Sequence, residues 1–511
     1  MRLYSADEMT RADEGAQRLG IPGGILMERA GVEMARATLE HFESLEGRQV
    51  LVVAGGGNNG GDGFVMARDL HRAGAEVAVF ATKDEYEGDP QVNLEALRNL
   101  NVRFVGADGF EEELEEADLV VDALLGTGFQ GEVREKEARL IEQINASAAA
   151  VVAVDVPSGV DGSTGEVWGA AVQADLTVCA HAAKLGCVVS PGYEYSGEVA
   201  VVDIGIPPEA DVEPEATWTD TYSLKGLVPR REEGAHKYSA GSLLVVAGSR
   251  MATGAAVMVA KGAQRTGCGI IFVATAEGVA PFVDAQLVEV LVSGVPEDEE
   301  GSMSVSAADA IVEQAQGASA VVLGPGMGVG EGGERILEGV LKETDVPVLL
   351  DADAISNLSG PGDLAGRGAP PVITPHPGEF SRLLGEGTKE IQSRRLHHAR
   401  RAAKEGGCCV LLKGTDTLVA QGERVAINST GGAQLATAGT GDVLSGIIGA
   451  LLARGMDSYD AARTGAWAHG RASELYLEST GWPAESMIAT DLLSYLPRAF
   501  GEIHSQAPSS S

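Results

Sequence analysis

Residues 49–81 have the sequence QVLVVAGGGNNGGDGFVMARDLHRAGAEVAVFA, and this stretch decides the fold. It contains an apolar run at 49–54, an amphipathic stretch at 64–73 that predicts a helix, and a second apolar run at 76–81. A strand, a helix and a strand in this order predict a βαβ unit with two parallel strands. The stretch therefore predicts an α/β protein.

The same rhythm extends through the first 215 residues. Ser5 and Glu8 have the spacing of a capping box, which predicts a helix at the start of the chain. Periodicity predicts further helices at 25–42 and 132–145. Further apolar runs predict strands at 118–124, 150–156, 176–180 and 199–204. The Pro-rich, acidic segment 206–215 has the composition of a connector, so we predict domains at 1–215 and 216–511.

After the connector the α/β rhythm restarts. Predicted strands lie at 242–247, 270–275, 320–323, 346–351, 371–374 and 409–412. A length of 511 residues is enough for several buried cores. The two halves share the pattern but no motif that can be aligned, so we expect two different domains.

The composition excludes some classes of function. The chain has 38 Lys plus Arg and 74 Asp plus Glu, a formal charge of −36 that repels nucleic-acid backbones and anionic membrane surfaces. The five cysteines form no CxxC pair and are odd in number, which favours a reducing cytoplasm. The first 20 residues lack the apolar core of a signal peptide, and no run of about 18 apolar residues occurs. We therefore expect a soluble cytoplasmic protein with neither nucleic-acid nor membrane partners.

The glycine-rich segment Gly55–Gly63 follows the first apolar strand and is a candidate phosphate loop, because bare backbone can approach a ligand there. Gly55, Gly57 and Gly60 satisfy GxGxxG, but the strand ending at 80–81 lacks an acid placed for a ribose hydroxyl. The alternative is a tight strand-to-helix turn without a ligand.

Polar segments also follow other strands of the first half, at 122–132, at 155–161 and around Lys184. Ligands of open α/β sheets bind beyond the carboxyl ends of the strands, so we expect these loops to converge. Asp122 and Asp155 are the acid/base or cation candidates, although a strand-end Asp also caps turns. Oxygens of Asn59, Asp122 and Ser158 are suited to a hard cation. Lys184 is a phosphate partner or a surface charge.

In the second half, Gly439-Thr-Gly-Asp442 precedes the apolar stretch 443–452, so its amides can form an anion hole at a helix N-terminus with a carboxylate beside it. This pairing suits phosphoryl chemistry, and Asp442 is the strongest catalytic candidate. Lys413–Thr417 ends a strand and places a cation and hydroxyls near the same edge, where they can neutralise nucleotide phosphates. No GxxxxGK[ST] run occurs, so a P-loop is not the nucleotide site.

Three more loops of the second half are predicted at that edge. They are Gly324–Gly328, Asp351–Asp353 and Thr374–Glu379. His376 stands between two prolines that restrict its backbone, which favours an oriented ligand contact. The acids Asp351, Asp353 and Glu379 can hold Mg²⁺ through water or cap turns. The basic side chains read as solvated helix faces are Lys261, Arg265, His397 and His398.

The motifs LMERAG (26–31), GGGNNGGDGF (55–64), DALLGTGFQGE (122–132) and DVPSGVDGSTGEV (155–167) resemble the N-terminal domain of the bifunctional NAD(P)H-hydrate repair enzymes. The resemblance covers about residues 1–215. It implies a Rossmann-like three-layer α/β/α domain that epimerises the R and S hydrates, NAD(P)HX, at C6 of the nicotinamide ring. It also implies that Asp155 is the acid/base residue and that Asn59, Asp122 and Ser158 bind K⁺. The implied hydrate contacts are Asn58, Asn59, Gly60, Gly61, Asp62, Gly126, Thr127, Gly128, Phe129, Gln130, Gly131, Glu132 and Asp155.

A second set of motifs is similar to the C-terminal dehydratase domain of the same family, which is ribokinase-like. They are HKYSAG (236–241), GPGMG (324–328), LDADA (350–354), TPHPGEF (374–380), LKGTDT (412–417) and ATAGTGDVLSG (436–446). This resemblance covers about residues 216–511 and implies that Asp442 activates the C6 hydroxyl of S-NAD(P)HX to attack a phosphate of ADP. Loss of phosphate and of the C5 proton then restores NAD(P)H, with AMP as the other product. The implied ADP contacts are Lys413, Gly414, Thr415, Asp416, Thr417 and Gly441, and the implied hydrate contacts are Ala255, Gly326, His376 and Asp442. HKYSAG is less glycine-rich than the common family form, which leaves His236 and Lys237 without an assigned role.

Taken together, these patterns predict a bifunctional repair enzyme that uses ADP, K⁺ in the epimerase domain and Mg²⁺ in the dehydratase domain. Its substrates are NADHX and NADPHX, and we expect a homo-oligomer. One alternative is a small-alcohol or vitamin kinase, because Asp442 and Lys413 would serve a stable phosphorylated product equally well. The other is a non-catalytic dinucleotide sensor built on the first domain.

Overall fold

The computed structural model describes residues 1–42, 44–231, 234, 236–237 and 240–505. The chain divides into two compact units. The first comprises Met1–Ala216 with Gln392–Arg394, and the second comprises Thr217–Ile391 with the described part of Arg395–Ser511.

The first unit alternates strands and helices. Its elements are β1 (Arg2–Tyr4), α1 (Ala6–Arg18), α2 (Gly23–His41), β2 (Gln49–Ala54), α3 (Asn58–Arg72), β3 (Glu76–Ala81), α4 (Asp89–Arg98), β4 (Arg103–Phe104), α5 (Phe110–Glu116), β5 (Leu119–Ala123), α6 (Glu135–Ala146), β6 (Ala150–Val154), β7 (Leu176–Ala180), β8 (Ala183–Lys184), α7 (Gly192–Ser196) and β9 (Glu198–Val202). The predicted capping box is present, since the Ser5 side chain accepts from the Glu8 amide and the Glu8 side chain accepts from the Ser5 amide.

Seven strands of this unit form one parallel sheet in the order β4-β3-β2-β5-β6-β7-β9. Successive residues of β2 alternate between two buried clusters: Val50 and Val52 belong to one, and Leu51 and Val53 belong to the other. Both faces of the sheet are therefore covered, as the continuous apolar runs predict. The strand order reverses between β2 and β5, which is where an open α/β sheet leaves a crevice.

The elements from residue 216 onward continue the α/β pattern. They are β10 (Ala216–Thr219), β11 (Ser242–Val246), α8 (Thr253–Thr266), β12 (Ile270–Ala276), α9 (Ala280–Gln286), β13 (Leu291–Val295), α10 (Ala308–Gln316), β14 (Ala320–Leu323), α11 (Glu331–Glu343), β15 (Val348–Leu350), α12 (Asp353–Ser356), β16 (Val372–Ile373), α13 (Pro377–Leu384), α14 (Thr388–Ser393), α15 (Arg395–Gly406), β17 (Cys409–Leu412), β18 (Leu418–Gln421), β19 (Arg424–Asn428), α16 (Thr440–Ala453), α17 (Ser458–Thr480) and α18 (Ala489–Ser505).

In the second unit, β13-β12-β11-β14-β15-β16-β17 run parallel in that order, and β18 and β19 extend the sheet in the antiparallel sense. Two glycines let α8 and α16 pack closely. A Cβ on Gly262 would lie 2.6 Å from the carbonyl oxygen of Val443, and a Cβ on Gly446 would lie 2.0 Å from that of Val259. This packing fixes the start of α16 beside the sheet.

The predicted long strands are confirmed, several with the expected bounds, including β2, β3, β7, β14 and β17. Other bounds differ by a few residues, and the largest difference is at the helix expected from Phe64, which begins at Asn58 inside the glycine-rich segment. Within the described residues, no helix is both long and apolar enough to cross a membrane.

Candidate functional sites

The first unit contains a cavity of about 760 Å³ where β2, β5 and β6 end. The predicted hydrate-binding residues that line it are Asn58, Asn59, Asp62, Gly126, Thr127, Gly128, Phe129, Gln130, Glu132 and Asp155. Gly60, Gly61 and Gly131 are not among its lining residues. The predicted convergence of the loops after these strands is thus confirmed.

The glycine-rich segment is a strand-to-helix junction whose first three residues, Gly55–Gly57, precede the helix. A Cβ on Gly55 would lie 1.7 Å from the Leu124 carbonyl oxygen, and one on Gly60 would lie 2.0 Å from the Gly55 carbonyl oxygen. These two glycines therefore allow close packing of backbone. Helix α3 begins here without a side-chain cap on Gly57, so its first amides can face an anion.

Asp122, Ser158 and Asn59 meet around the loop that follows β5. The Asp122 carboxylate is fully buried and accepts from the Ser158 amide at 2.8 Å and the Ser158 hydroxyl at 2.6 Å. Burial raises the pKa of Asp122 to about 6, although the hydrogen bonds that it accepts from Ser158 and Leu124 act to lower it. Asn59 donates from Nδ2 to the Leu125 carbonyl oxygen at 2.9 Å, and the Ser158 hydroxyl lies 3.2 Å from the same oxygen. The three predicted cation-binding side chains are thus neighbours.

Asp155 directly follows β6 and is held in an uncommon backbone conformation. Its φ is +68°, a left-handed value that costs a non-glycine residue on the order of 1 kcal/mol or more. Its Oδ1 accepts from the Ala180 amide at 3.0 Å and from Lys184 Nζ at 2.5 Å. The carboxylate is therefore fixed at the wall of the cavity.

The expectation for Lys184 is wrong in both forms. Its side chain is fully buried, and the ammonium donates to Asp155 and to the Ala180 and Ala182 carbonyls. The ion pair with Asp155 holds the pKa of Lys184 above its ordinary value despite burial. Lys184 is therefore a buried partner of Asp155. The sequence does not indicate this, because an Ala-Lys pair is typical of a surface position, whereas this short strand packs inside the unit.

Asp13 is a cavity residue that the sequence analysis does not identify. It lies on α1 and lines the same cavity as Asp62 and Asp155. Burial raises the pKa of Asp13 to about 6, and burial together with the charges of Asp155 and Asp13 raises the pKa of Asp62 well above its usual range. The only signal for Asp13 in the sequence is its position as an acid at the edge of the apolar face of an amphipathic helix.

Asp442 lies in the first turn of α16, as predicted. Gly439 caps this helix with φ +89° and no side-chain hydrogen bond, so the first amides are open to an anion. Burial raises the pKa of Asp442 to about 6; Asp351 and Asp353 add to the effect and Lys413 opposes it. Asp442 is thus a carboxyl group that titrates near neutrality, which suits a general base.

Lys413 lies beside the same helix start. Its Nζ donates to Asp351 Oδ1 at 2.8 Å, and Asp351 Oδ2 accepts from the Ser445 hydroxyl at 2.7 Å. A Cβ on Gly441 would lie 3.3 Å from Lys413 Nζ. The structure therefore brings Lys413, Gly441 and Asp442 together, with Asp351 holding the lysine.

The rest of the predicted ADP segment has two kinds of environment. Gly414 and Thr415 are exposed, and Thr417 closes a turn by donating to the Gly414 carbonyl at 2.8 Å. Asp416 is buried and forms an ion pair with Arg395, with 3.0 Å between Oδ1 and Nε. Its carboxylate is therefore occupied within the protein.

Of the other predicted hydrate residues of the second unit, Gly326 lies on the loop after β14, Ala255 in the first turn of α8, and His376 directly before α13. Gly326 has φ +64°, and a Cβ there would lie 3.5 Å from the Ala255 side chain, so these two residues are neighbours. His376 caps α13 by accepting from the Gly378 amide at Nδ1, and its side chain is 55% exposed. The cap orients the ring, whose Nε2 lies 3.6 Å from Glu379 Oε1.

The three acids suggested for Mg²⁺ all accept hydrogen bonds from the protein. Asp351 binds Lys413 and Ser445, while Asp353 accepts from the Gly328 amide and Glu379 accepts from the His376 amide. No cluster of three or more His, Cys, Asp or Glu suited to a metal occurs in the described part of the chain.

Two histidines are buried although the sequence does not indicate it. His398 was expected on a solvated face but is buried, with only 2% of its surface exposed. His469 was not identified; it is buried on α17, and its Nε2 lies 2.9 Å from the Thr440 carbonyl oxygen in the first turn of α16. Burial lowers the pKa of His469 to about 4, so it supports this turn as a neutral group.

Comparison with known proteins assigns both units to known families. Residues 243–498 match the family described as NAD(P)H-hydrate dehydratase, and residues 23–186 match the family described as YjeF-related protein N-terminus. Both matches fall on the motifs that carry the resemblance.

Full-length relatives have the same arrangement. The chain is 37% identical to the bifunctional NAD(P)H-hydrate repair enzyme Nnr of Moorella thermoacetica, over 97% of this chain and 96% of the relative. It is 36% identical to the Escherichia coli enzyme of the same name, over 97% and 93% of the two chains.

A solved structure resembles part of the chain. The ADP/ATP-dependent NAD(P)H-hydrate dehydratase of Bacillus subtilis, co-crystallised with ATP and Mg²⁺, is 29% identical with a TM-score of 0.50 and covers 56% of this chain and 99% of its own. The predicted fold class, a Rossmann-like α/β/α domain followed by a ribokinase-like α/β domain, is confirmed.

Proposed function

The chain belongs to the family of bifunctional NAD(P)H-hydrate repair enzymes, and we propose that its two reactions take place at the two sites described above. The enzyme epimerises R- and S-NAD(P)HX and dehydrates S-NAD(P)HX to NAD(P)H. We assign epimerisation to residues 1–215 and dehydration to residues 216–511.

In the epimerase site, Asp155 is the proposed proton-handling residue. Interconversion at C6 requires loss and return of water, so a proton must move beside the ring. Asp155 lines a cavity large enough for a nicotinamide nucleotide, and Lys184 and the Ala180 amide hold its carboxylate in place. The open amides at the start of α3 and the loop at 126–132 are the proposed contacts of the nucleotide.

We assign K⁺ to Asn59, Asp122 and Ser158. Asp122 is fully buried and has no cationic partner among the described residues, so a cation there would compensate its charge. The donors are carboxylate, amide and hydroxyl oxygens, which suit a hard cation. Bound K⁺ would fix the loop after β5 that lines the cavity.

In the dehydratase site, Asp442 is the proposed base. It takes the proton of the C6 hydroxyl while the hydroxyl oxygen attacks the terminal phosphorus of ADP, and AMP leaves. Lys413 and the amides of Gly441 and its neighbours stabilise the negative charge of the phosphates. The ring nitrogen then expels phosphate from C6, and loss of the C5 proton forms the C5–C6 double bond of NAD(P)H.

Mg²⁺ is expected to enter with the nucleotide and would neutralise charge on its phosphates. Asp351, Asp353 and Glu379 are already engaged by protein donors, so they fit contacts to that ion through water rather than a cage of direct ligands. The neighbours that the structure gives Lys413 and Asp442 support this placement of the phosphates.

The observation that carries the proposal is Asp442, a carboxyl without a hydrogen-bond partner among the described residues, at an open helix start beside Lys413. The test uses full-length Asp442→Asn and Asp155→Asn. Asp442→Asn is expected to abolish dehydration and leave epimerisation, whereas Asp155→Asn is expected to abolish epimerisation and leave dehydration of S-NADHX. Equal loss of both activities in either folded variant would contradict separate sites.

Product analysis separates dehydration from a kinase reaction. We expect AMP, inorganic phosphate and NADH, in equal amounts. A stable phosphorylated substrate in place of phosphate would instead support the kinase alternative.

The cysteines are all free thiols, the expected state in the cytoplasm where we place the enzyme. Homo-oligomerisation stays a prediction.

A further inference from the structure

Several carboxyl groups line the epimerase cavity, and Arg134 also lies on its wall. Asp13 on α1, Asp62 on α3 and Asp155 after β6 all line it, and Lys184 is the ammonium paired with Asp155. Among the described residues, neither Asp13 nor Asp62 has a side-chain hydrogen bond or ion pair. Like charges in one poorly solvated site disfavour simultaneous ionisation of these carboxyl groups.

Asp62 lies among the other charged groups of this cavity. The charges of Asp13 on α1 and Asp155 at the end of β6 both act to raise the pKa of Asp62. The ammonium of Lys184 on β8 acts to lower it, and Asp89 of α4 lies on the same cavity wall. Burial and the two neighbouring carboxylates raise the pKa of Asp62 well above its usual range, whereas the pKa of Asp13 rises only to about 6. Asp155 differs because it accepts a hydrogen bond from Lys184 Nζ at 2.5 Å. Two carboxyl groups in such different environments are suited to acid and base roles.

We propose that Asp62 is the second catalytic residue of epimerisation, acting as the acid opposite Asp155. This inference rests on the proposed function of Asp155. Asp62 donates its proton to the C6 hydroxyl, the C6–O bond breaks, water leaves and the lone pair of N1 forms a C6=N1 iminium. Water then adds to the other face of C6, the iminium electron pair returns to N1, and Asp155 takes the proton of the added water. The proton returns from Asp155 to Asp62 through solvent, so the cycle is balanced.

Asp13 has a supporting part in this arrangement. Its carboxylate disfavours ionisation of Asp62 and so favours the protonated form that an acid requires. Asp13 is therefore a positioning residue whose loss should change the pH profile more than the maximal rate.

The test follows conversion of purified R-NADHX to the S epimer by the full-length enzyme, without ADP or ATP so that dehydration does not consume the product. Chromatography gives the rate above the spontaneous one. Asp62→Asn is expected to lower kcat about 100-fold or more with little change in KM, the usual size of a general-acid contribution. The matched control is Asp69→Asn on the same helix, whose carboxylate pairs with Arg72 and is not among the cavity residues. Dehydration of S-NADHX by each variant with ADP verifies the second unit, and an unchanged thermal unfolding curve verifies that the first unit is folded.

Two further readouts separate catalysis from structure. In H₂¹⁸O, each inversion by the wild-type enzyme is expected to bring one solvent oxygen to C6. Asp13→Asn is expected to move the alkaline limb of the pH profile to lower pH, because loss of a neighbouring charge eases deprotonation of Asp62; the control is Asp7→Asn, an exposed acid of the same helix.

The outcomes distinguish this inference from the proposed function. Near wild-type epimerisation by Asp62→Asn, or S product without solvent oxygen, would overturn the acid role. An unchanged alkaline limb in Asp13→Asn would overturn the part given to Asp13. If the wild-type enzyme did not exceed the spontaneous rate, or if Asp155→Asn kept full activity, the proposed function itself would fail.

Discussion

Replacing Asp442 by asparagine is expected to stabilise the second unit at neutral pH while it abolishes dehydration. The folded protein raises the pKa of this carboxyl from 3.8 to about 6, chiefly through burial. This rise in the pKa of Asp442 corresponds to a free-energy penalty of about 3 kcal/mol on the ionised form in the native state. The carboxylate has no hydrogen-bond partner among the described residues, so asparagine loses no contact and removes the penalty.

The sign of the effect follows from proton linkage. Because the folded pKa lies above the unfolded one, the penalty is fully present above about pH 6 and disappears as the pH falls below about 4. The variant should therefore unfold at a higher temperature than wild type at pH 7, by a few degrees, and the gap should close by about pH 4.

The assay is calorimetric unfolding of ligand-free full-length protein at several pH values, combined with the dehydration rate. The control is Asp309→Asn, which removes a carboxylate that is 97% exposed and should change stability by at most about 0.5 kcal/mol at any pH. A variant less stable than wild type at pH 7, or a stability gap independent of pH, would refute the reasoning.

Three more changes test other contacts. Lys184→Met leaves a buried carboxylate without its cation, so we expect loss of epimerisation and destabilisation by about 3–5 kcal/mol in urea unfolding; retained stability would contradict the buried pair. Asp351→Asn releases the Lys413 ammonium, so the KM for ADP should rise about tenfold while epimerisation is unchanged, and an unaltered KM would remove Lys413 from nucleotide binding. Gly60→Ala places a Cβ 2.0 Å from a carbonyl oxygen and should lower the free energy of unfolding by about 1–3 kcal/mol. The control is Gly57→Ala, whose Cβ meets nothing within 4 Å. Equal melting temperatures of the two variants would argue against the close packing.

The buried parallel strands were the most predictable part of the fold. Runs such as 49–54 and 409–412 are apolar apart from Gln49, because both faces of the sheet are covered, and their bounds match the structure. The short strands Arg2–Tyr4 and Ala183–Lys184 were missed, because two or three residues carry no periodicity. The hairpin Leu418–Asn428 was also missed, although its two-residue Gly-Glu loop between apolar runs was a usable signal.

The helix that starts at Asn58 shows where tertiary structure overrides local preference. All six of its first residues are Asn, Asp or Gly, which disfavour helix, yet close packing of Gly60 against the preceding turn fixes the helical backbone there. The sequence identified Asp155 and Asp442 because each follows a recognisable pattern at a strand end or helix start. It could not identify Lys184 or Asp13 as part of the epimerase site, because their burial depends on contacts between distant segments.

The most direct test of the account supplies purified full-length enzyme with a mixture of R- and S-NADHX, with and without ADP and Mg²⁺, and follows the recovery of dihydronicotinamide absorbance. The account predicts complete conversion of both epimers when ADP and Mg²⁺ are present and none without nucleotide. Conversion that stops once the S fraction is consumed would contradict the epimerase assignment, and no conversion at all would contradict the repair function.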